Sequence, residues 1–264
     1  MNRFYELFKD KKAIIGMVHL LPLPGSAMFD GDMEKVYSQA IHDTKVLEEG
    51  GVAALMVENF GDMPYSKELS LEQSTALAAV AAVVKENTKL PVGIDAAFCD
   101  YKSAIACAKA TGADFVRLAV FVDTVECFAG ILEPCCAQAL KYRKQIDAQE
   151  VMIFADIQVK HTHMLVENVD IIESASVAVN CGADAVIVTG LATGMETPIE
   201  TVKRVKDNVS CPVIIGSGVN CKNIKEQMNI ADGAIVGSSL KYDNVVTNKV
   251  HIDKVKELMF NLGK

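Results

Sequence analysis

A chain of 264 residues with 26 Lys and Arg against 34 Asp and Glu carries a formal charge of −8. With no basic stripe it does not read as a nucleic-acid binder. Nor does any apolar run approach the roughly 18 residues that a membrane-spanning helix needs. The opening stretch, MNRFYELFKDKK, places charges where a secretory signal would need its apolar region, so a cytoplasmic location is expected.

Taken in order, a short lead-in helix is followed by residues 13–18 (AIIGMV), an apolar run too short and too β-branched for a helix, with His19 at its end. Residues 33–49 carry apolar positions at helical spacing and stop at Gly50 and Gly51. The strand predicted over 53–57 exits through Glu58 and Asn59, the helix over 70–87 is rich in alanine, and the strand over 90–94 exits through Asp95. A helix over 102–110 stops at Thr111-Gly112, and the strand over 115–118 carries Arg117 near its end. After a longer loop through Glu126 and Gly130 comes a helix over 134–146, then a fifth strand over 151–157 that runs out through Gln158, Val159, Lys160 and His161. Helices over 171–180, 198–208, 224–229 and 252–262 alternate with strands over 185–189, 212–216 and 233–236, the first of these ending at Thr189.

Eight strand–helix units in one chain of this length point to a single (β/α)8 barrel covering residues 1–264, a fold of about 250 residues. The strands lack polar alternation, as expected where both faces are buried. A doubly wound open sheet competes, but no GxGxxG follows the first strand. Asp114, Asp184 and Asp232 each stand in a Gly/Ala/Asp turn just before a strand, at the opposite end of the barrel from its exits, and are read as structural. The eight cysteines are scattered without a CxxC and fit neither a disulfide framework nor a metal cluster.

Strand exits of such a barrel face one mouth, so polar residues far apart in sequence converge there. Here they are His19, Glu58, Asn59, Asp95, Arg117, Asp156, Lys160, His161 and Thr189. Alternation along the fifth strand aims Phe154, Asp156 and Gln158 at one face and makes Asp156 the strongest single candidate for acid–base chemistry. Glu58 and His19 would assist, and Lys160 would neutralise charge or form a Schiff base. Asn59, Asp95, Arg117, His161 and Thr189 are expected to bind the ligand. His19, Glu58, Asp95, Asp156 and His161 are also hard or borderline donors for a divalent metal, although no cofactor is required by the pattern. The last two strands end in small residues, Gly216-Ser217-Gly218 and Gly237-Ser238-Ser239. Paired turns of this kind after the seventh and eighth strands grip a phosphate through backbone N–H groups, which predicts a phosphorylated small-molecule ligand.

The stretches GMVHLLPLPG (16–25), GADFVR (112–117), FADIQVKH (154–161), GLATG (190–194), GSGV (216–219) and VGSSLKYDNVVTN (236–248) resemble the BtpA/SgcQ family along essentially the whole chain. The resemblance implies a barrel of the phosphate-binding type, related in shape to enzymes acting on phosphorylated sugars and nucleotides. Members are associated with photosystem I biogenesis or with carbohydrate-uptake gene clusters, and a nucleosidase-like activity has been suggested for some. Two departures stand out: Gln158 occupies a position where a histidine is expected, and residues 96–99 replace a more polar strand exit. Two functions follow as expectations: an enzyme acting on a phosphorylated sugar or nucleoside-type molecule, or a non-catalytic assembly or regulatory factor working through its outer surface. Assembly as a homo-oligomer is compatible with either.

Overall fold

A computed structural model describes residues 2–9, 12–190 and 195–263. Its strands are β1 (Ala13–His19), β2 (Ala54–Glu58), β3 (Val92–Asp95), β4 (Phe115–Leu118), β5 (Val125–Cys127), β6 (Gly130–Leu132), β7 (Met152–Ile157), β8 (His163–Met164), β9 (Ala185–Val188), β10 (Val213–Ile215) and β11 (Gly233–Val236). Its helices are α1 (Arg3–Phe8), α2 (Met33–Gly50), α3 (Leu71–Glu86), α4 (Tyr101–Thr111), α5 (Cys136–Gln145), α6 (Ile171–Asn180), α7 (Ile199–Lys206), α8 (Ile224–Ile230) and α9 (Ile252–Leu262). Strands β1, β2, β3, β4, β7, β9, β10 and β11 close into a parallel barrel in that circular order, each followed by a helix. None of the described helices is long and apolar enough to cross a membrane.

Both faces of the barrel strands are buried, and alternation sorts their side chains between two cores. Ile15, Met17, Met56, Phe115, Phe154, Ile187, Ile214 and Ile235 fill the inside, while Ile14, Val18, Leu55, Val57, Val116 and Ile153 pack against the helices. Phe115 and Phe154 stack at 4.4 Å, and Phe4 of α1 meets Phe154 at 5.7 Å, so the lead-in helix plugs the end of the barrel away from the strand exits. Continuing the inward alternation past these residues brings His19, Glu58, Arg117 and Asp156 to the other end.

The aspartates before β4, β9 and β11 share one task. Asp114 accepts the Val92 N–H at 2.9 Å, Asp184 the Ile153 N–H at 2.8 Å and Asp232 the Val213 N–H at 2.8 Å. Each carboxylate thus takes a donor at the start of the neighbouring strand that would otherwise go unpaired.

The structure departs from the expected boundaries in one substantial place. The loop after β4 contains an antiparallel hairpin, β5–β6, and β8 joins it to make a three-stranded sheet in the order β6-β5-β8 beside the barrel mouth. Strands of two or three residues carry too little alternation to be read from sequence. Elsewhere the shifts are small: β3 starts at Val92, α7 is shorter at both ends, and β10 stops at Ile215, leaving Gly216 in the turn. Of the GLATG stretch, residues 191–194 lie outside the described part of the chain.

One buried ion pair fastens the segment after β11. Lys241 and Asp43 are both fully buried; Lys241 Nζ donates to Asp43 Oδ2 at 2.8 Å, and Asp43 Oδ1 accepts the Val250 N–H at 2.8 Å. Breaking such a pair from one side leaves an uncompensated charge, at a cost of about 3–5 kcal/mol. Lys241→Met should therefore lower the unfolding free energy by that amount in denaturant titrations. Lys241→Met combined with Asp43→Asn, which keeps the acceptor for Val250 while removing both charges, should recover at least half of the loss.

Candidate functional site

The strand exits enclose a cavity of about 1030 Å³. One side of its floor is built by register. His19 pairs with Glu58 across β1 and β2, Glu58 with Asp95 across β2 and β3, and Asp95 with Arg117 across β3 and β4. Register partners in a parallel sheet point to the same face, so four chemistry-bearing side chains stand in one row. All four line the cavity, joined by Lys160 and His161 from the segment after β7.

Arg117 organises the row. Its Nε and one terminal nitrogen each donate to an Asp156 oxygen at 2.8 Å, and the other terminal nitrogen donates to Asp95 at 3.2 Å. Asp156 is only 1 % exposed and is not among the residues lining the cavity. Each oxygen of this strongest sequence candidate accepts a hydrogen bond from Arg117. Burial pushes Asp95 up to about 8; Arg117 opposes the shift, while the neighbouring Glu58 and Asp156 add to it. Burial and the charge of Arg117 bring Lys160 down to about 8 against the pull of the carboxylates. Burial also works against ionisation of Glu58, but the hydrogen bond with His19 and the charges of Arg117 and Lys160 outweigh it and keep Glu58 below the usual carboxylate range.

His19 Nε2 lies 3.5 Å from Glu58 Oε2, and the ring rests on Phe60 at 4.7 Å. Burial holds the imidazole below its ordinary pKa despite Glu58, so it is neutral at physiological pH. Its Nδ1 is buried with no hydrogen-bond partner among the described residues. Lys160 Nζ is 3.5 Å from the Gly216 carbonyl, and the Lys160 N–H donates to Thr189 Oγ1 at 3.0 Å. Thr189 thus holds the lysine backbone and is not among the residues lining the cavity. Asn59 is likewise absent from the lining. It is fully buried, accepts the Ala97 N–H at 2.7 Å and donates to Asp62 at 3.0 Å, which shapes the loop after β2 instead of reaching the mouth.

The two small-residue turns line the cavity together. Gly218 has φ +77°, and a Cβ there would come within 2.3 Å of Glu196, so only glycine fits the turn. At Gly237 a Cβ would lie 2.7 Å from the His19 ring. The hydroxyl of Ser217 is used within the protein, accepting the Gly190 N–H and donating to the Met195 carbonyl, and Ser239 donates to the Val219 carbonyl at 2.7 Å, tying one turn to the other. What these turns offer a ligand is backbone N–H groups. Gly237 starts the short 3₁₀ turn Ser238–Leu240 with no side-chain cap, leaving its first amides without an intrahelical partner.

Among the described residues no group of three or more His, Cys, Asp or Glu is arranged to hold a metal ion, so the five donors considered from sequence do not assemble into a ligand set. Aromatic residues were missed. Phe60, Tyr65, Phe98 and Phe128 all line the cavity. Phe60 and Phe98 follow the exits of β2 and β3 within a few residues, where counting apolar as well as polar residues finds them, whereas Tyr65 stands further along the loop after β2.

The fold is shared with solved enzymes at low sequence identity. The tryptophan synthase alpha chain of Legionella pneumophila superposes with a TM-score of 0.64 at 11% identity, covering 100% of this chain and 98% of its own. Thiamine phosphate pyrophosphorylase of Pyrococcus furiosus gives 0.61 at 16% identity, covering 97% and 98%. Sequence relatives are closer. An uncharacterised protein of Methanocaldococcus jannaschii is 38% identical over 254 residues, covering 96% of this chain and 95% of the relative. The photosystem I biogenesis protein BtpA of Synechocystis is 33% identical over 240 residues, covering 90% and 83%. With the BtpA family pattern matching residues 10–264 and full-length relatives at this level of identity, the chain belongs to the BtpA family.

Proposed function

We propose that this barrel is an enzyme that grips a phosphorylated small molecule, of sugar or nucleoside type, through the amides of residues 216–218 and 237–239, and carries out proton-transfer chemistry on the part lying over the floor. The observation that carries this reading is one cavity containing both glycine turns and the row His19, Glu58, Asp95, Arg117 with Lys160. The solved barrels of similar fold include one whose name contains a phosphorylated small molecule, thiamine phosphate, which supports the ligand class by analogy of fold.

In this reading the turns bind the phosphate and Lys160, charged below about pH 8, neutralises it. Glu58, ionised and open to the cavity, serves as general base. His19, neutral and in contact with Glu58, receives or returns the proton. Asp95 keeps its own proton up to about pH 8 and offers it to the ligand as a hydrogen-bond donor. Asp156 has a positioning role, through Arg117. The name of the Synechocystis relative supports a second reading, an assembly factor working through the outer helices. Partner function that survives loss of Glu58 and Lys160 would favour it.

Lys160 gives a test that needs no substrate. Its folded-state value of about 8 lies below its unfolded value of about 10.4, so the protonated lysine costs folding stability below pH 8, and the cost fades as pH rises from 8 towards 10.4. Lys160→Met should raise the melting temperature at pH 7, on the scale of about 2–4 °C per kcal/mol recovered, with the gain shrinking above pH 8. The same variant should lose the thermal protection that inorganic phosphate gives the wild type. Protection undiminished by this change would remove Lys160 from the phosphate site.

Glu58 and Asp156 should separate chemistry from support. On a substrate found by screening phosphorylated metabolites, Glu58→Gln is expected to lower turnover by about 100-fold or more with ligand binding retained, the scale of a lost general base. Asp156→Asn should instead register as a stability loss of about 3–5 kcal/mol, because it leaves Arg117 without its charged partner. Wild-type turnover by the Glu58 variant would reject the assignment.

A further inference from the structure

We infer that the cavity has a second, apolar compartment across the mouth from the glycine turns, and that it takes a flat aromatic or heteroaromatic ring carried by the phosphorylated ligand. This rests on the reading above for the phosphate end and adds what lies at the other end. The glycine turns follow β10 and β11, whereas Tyr65, Phe98 and Phe128 follow β2, β3 and β4, on the far side of the closed strand order. Glu58, Asp95 and Arg117 of the floor row stand at the ends of the same strands that the aromatic residues follow.

The three rings form a triangle, with centroids 6.5 Å apart for Tyr65 and Phe98, 6.2 Å for Tyr65 and Phe128, and 6.3 Å for Phe98 and Phe128. Met63, Ala119 and Val159 complete an apolar wall around them. The Tyr65 hydroxyl is already committed, donating to the Phe60 carbonyl at 2.9 Å, so this residue presents its ring. Phe128 stands in the turn between β5 and β6 and is 56 % exposed, a large apolar side chain left in water at the edge of a cavity. A ring lying against it removes that surface from water and meets the offset or edge-on geometry that aromatic groups favour.

Size and rim chemistry point the same way. At about 1030 Å³ the cavity is at the top of the range of about 300–1,000 Å³ for small-molecule sites, and a bare sugar phosphate would leave the aromatic wall wet. Glu126 and His163, register partners across β5 and β8, also line the cavity and are exposed at its rim, where a carboxylate acceptor and an imidazole N–H can meet the edge of a heteroaromatic ring. The short sheet beside the mouth thus supplies both a face and an edge.

The test compares phosphorylated probes with and without a ring: ribose 5-phosphate against AMP, and glucose 6-phosphate against 4-nitrophenyl β-glucoside 6-phosphate, with inorganic phosphate as reference. Affinities by calorimetry should show the ring-bearing member of at least one pair binding about tenfold more tightly, the scale of one stacking contact. Phe128→Ala and Tyr65→Leu should each abolish that gain while leaving inorganic phosphate binding unchanged, and Tyr65→Phe should keep it. If phosphate binds but the ring adds nothing in either pair, or if the gain persists in both ring-removing variants, the compartment is refuted and the phosphate reading stands. If inorganic phosphate fails to bind, the phosphate reading falls, and adenosine and 4-nitrophenyl β-glucoside decide the compartment alone. Binding sensitive to Phe128→Ala keeps it, and absence of binding overturns it.

Discussion

The guanidinium of Arg117 is the group on which the mouth depends. It is 7 % exposed, and a cation so placed is tolerable only because Asp156 takes it with both oxygens and Asp95 with one. Three carboxyl groups, Glu58, Asp95 and Asp156, then stand near two cations, Arg117 and Lys160. Burial drives Asp95 to hold a proton near neutrality, with Glu58 and Asp156 adding to the shift against Arg117, and burial followed by the charge of Arg117 lowers the hold of Lys160 on its proton. Burial thus sets the direction of both shifts, and the charge of Arg117 acts on each of them, holding Asp95 down and adding to the fall at Lys160.

Rigidity beneath this cluster comes from ordinary packing. The stack of Phe115 on Phe154, closed from the far end by Phe4, supports the strands that carry Arg117 and Asp156. On the other side of the mouth the glycine turns are held by the protein's own hydroxyls and by the buried Lys241–Asp43 pair, so their amides are fixed in direction before any ligand arrives. Preorganised donors of this kind cost little reorganisation when an anion binds.

Much of this was legible in the sequence, and the parts that were not have definite causes. Repeating apolar runs and helical stretches gave eight units, and strand ends gave His19, Glu58, Asp95, Arg117 and Lys160. Alternation correctly set Asp156 on the inward face with Phe154. It could not say whose hydrogen bonds would consume that carboxylate, because the partner is 39 positions away. Nor does a sequence contain the register that aligns His19, Glu58, Asp95 and Arg117, which is fixed by how the closed sheet is staggered. Asn59 and Thr189 have the residue types of ligand binders, and the structure shows them accepting the backbone N–H groups of Ala97 and Lys160, partners that no sequence pattern displays. The hairpin bearing Phe128 leaves no sequence signal because its strands, three residues each, hold barely more than one alternation.

The aspartate clasps at Asp114, Asp184 and Asp232 join β4 to β3, β9 to β7 and β11 to β10. All three lie at the end of the barrel remote from the cavity. The molecule is in effect sewn together along one hem by these carboxylate–amide clasps, while at the opposite edge Arg117 ties β4 to β3 and β7 through Asp95 and Asp156. Lengthening, shortening or replacing the exit loops leaves the seam untouched, so this architecture can diverge in what it recognises while its frame stays constant.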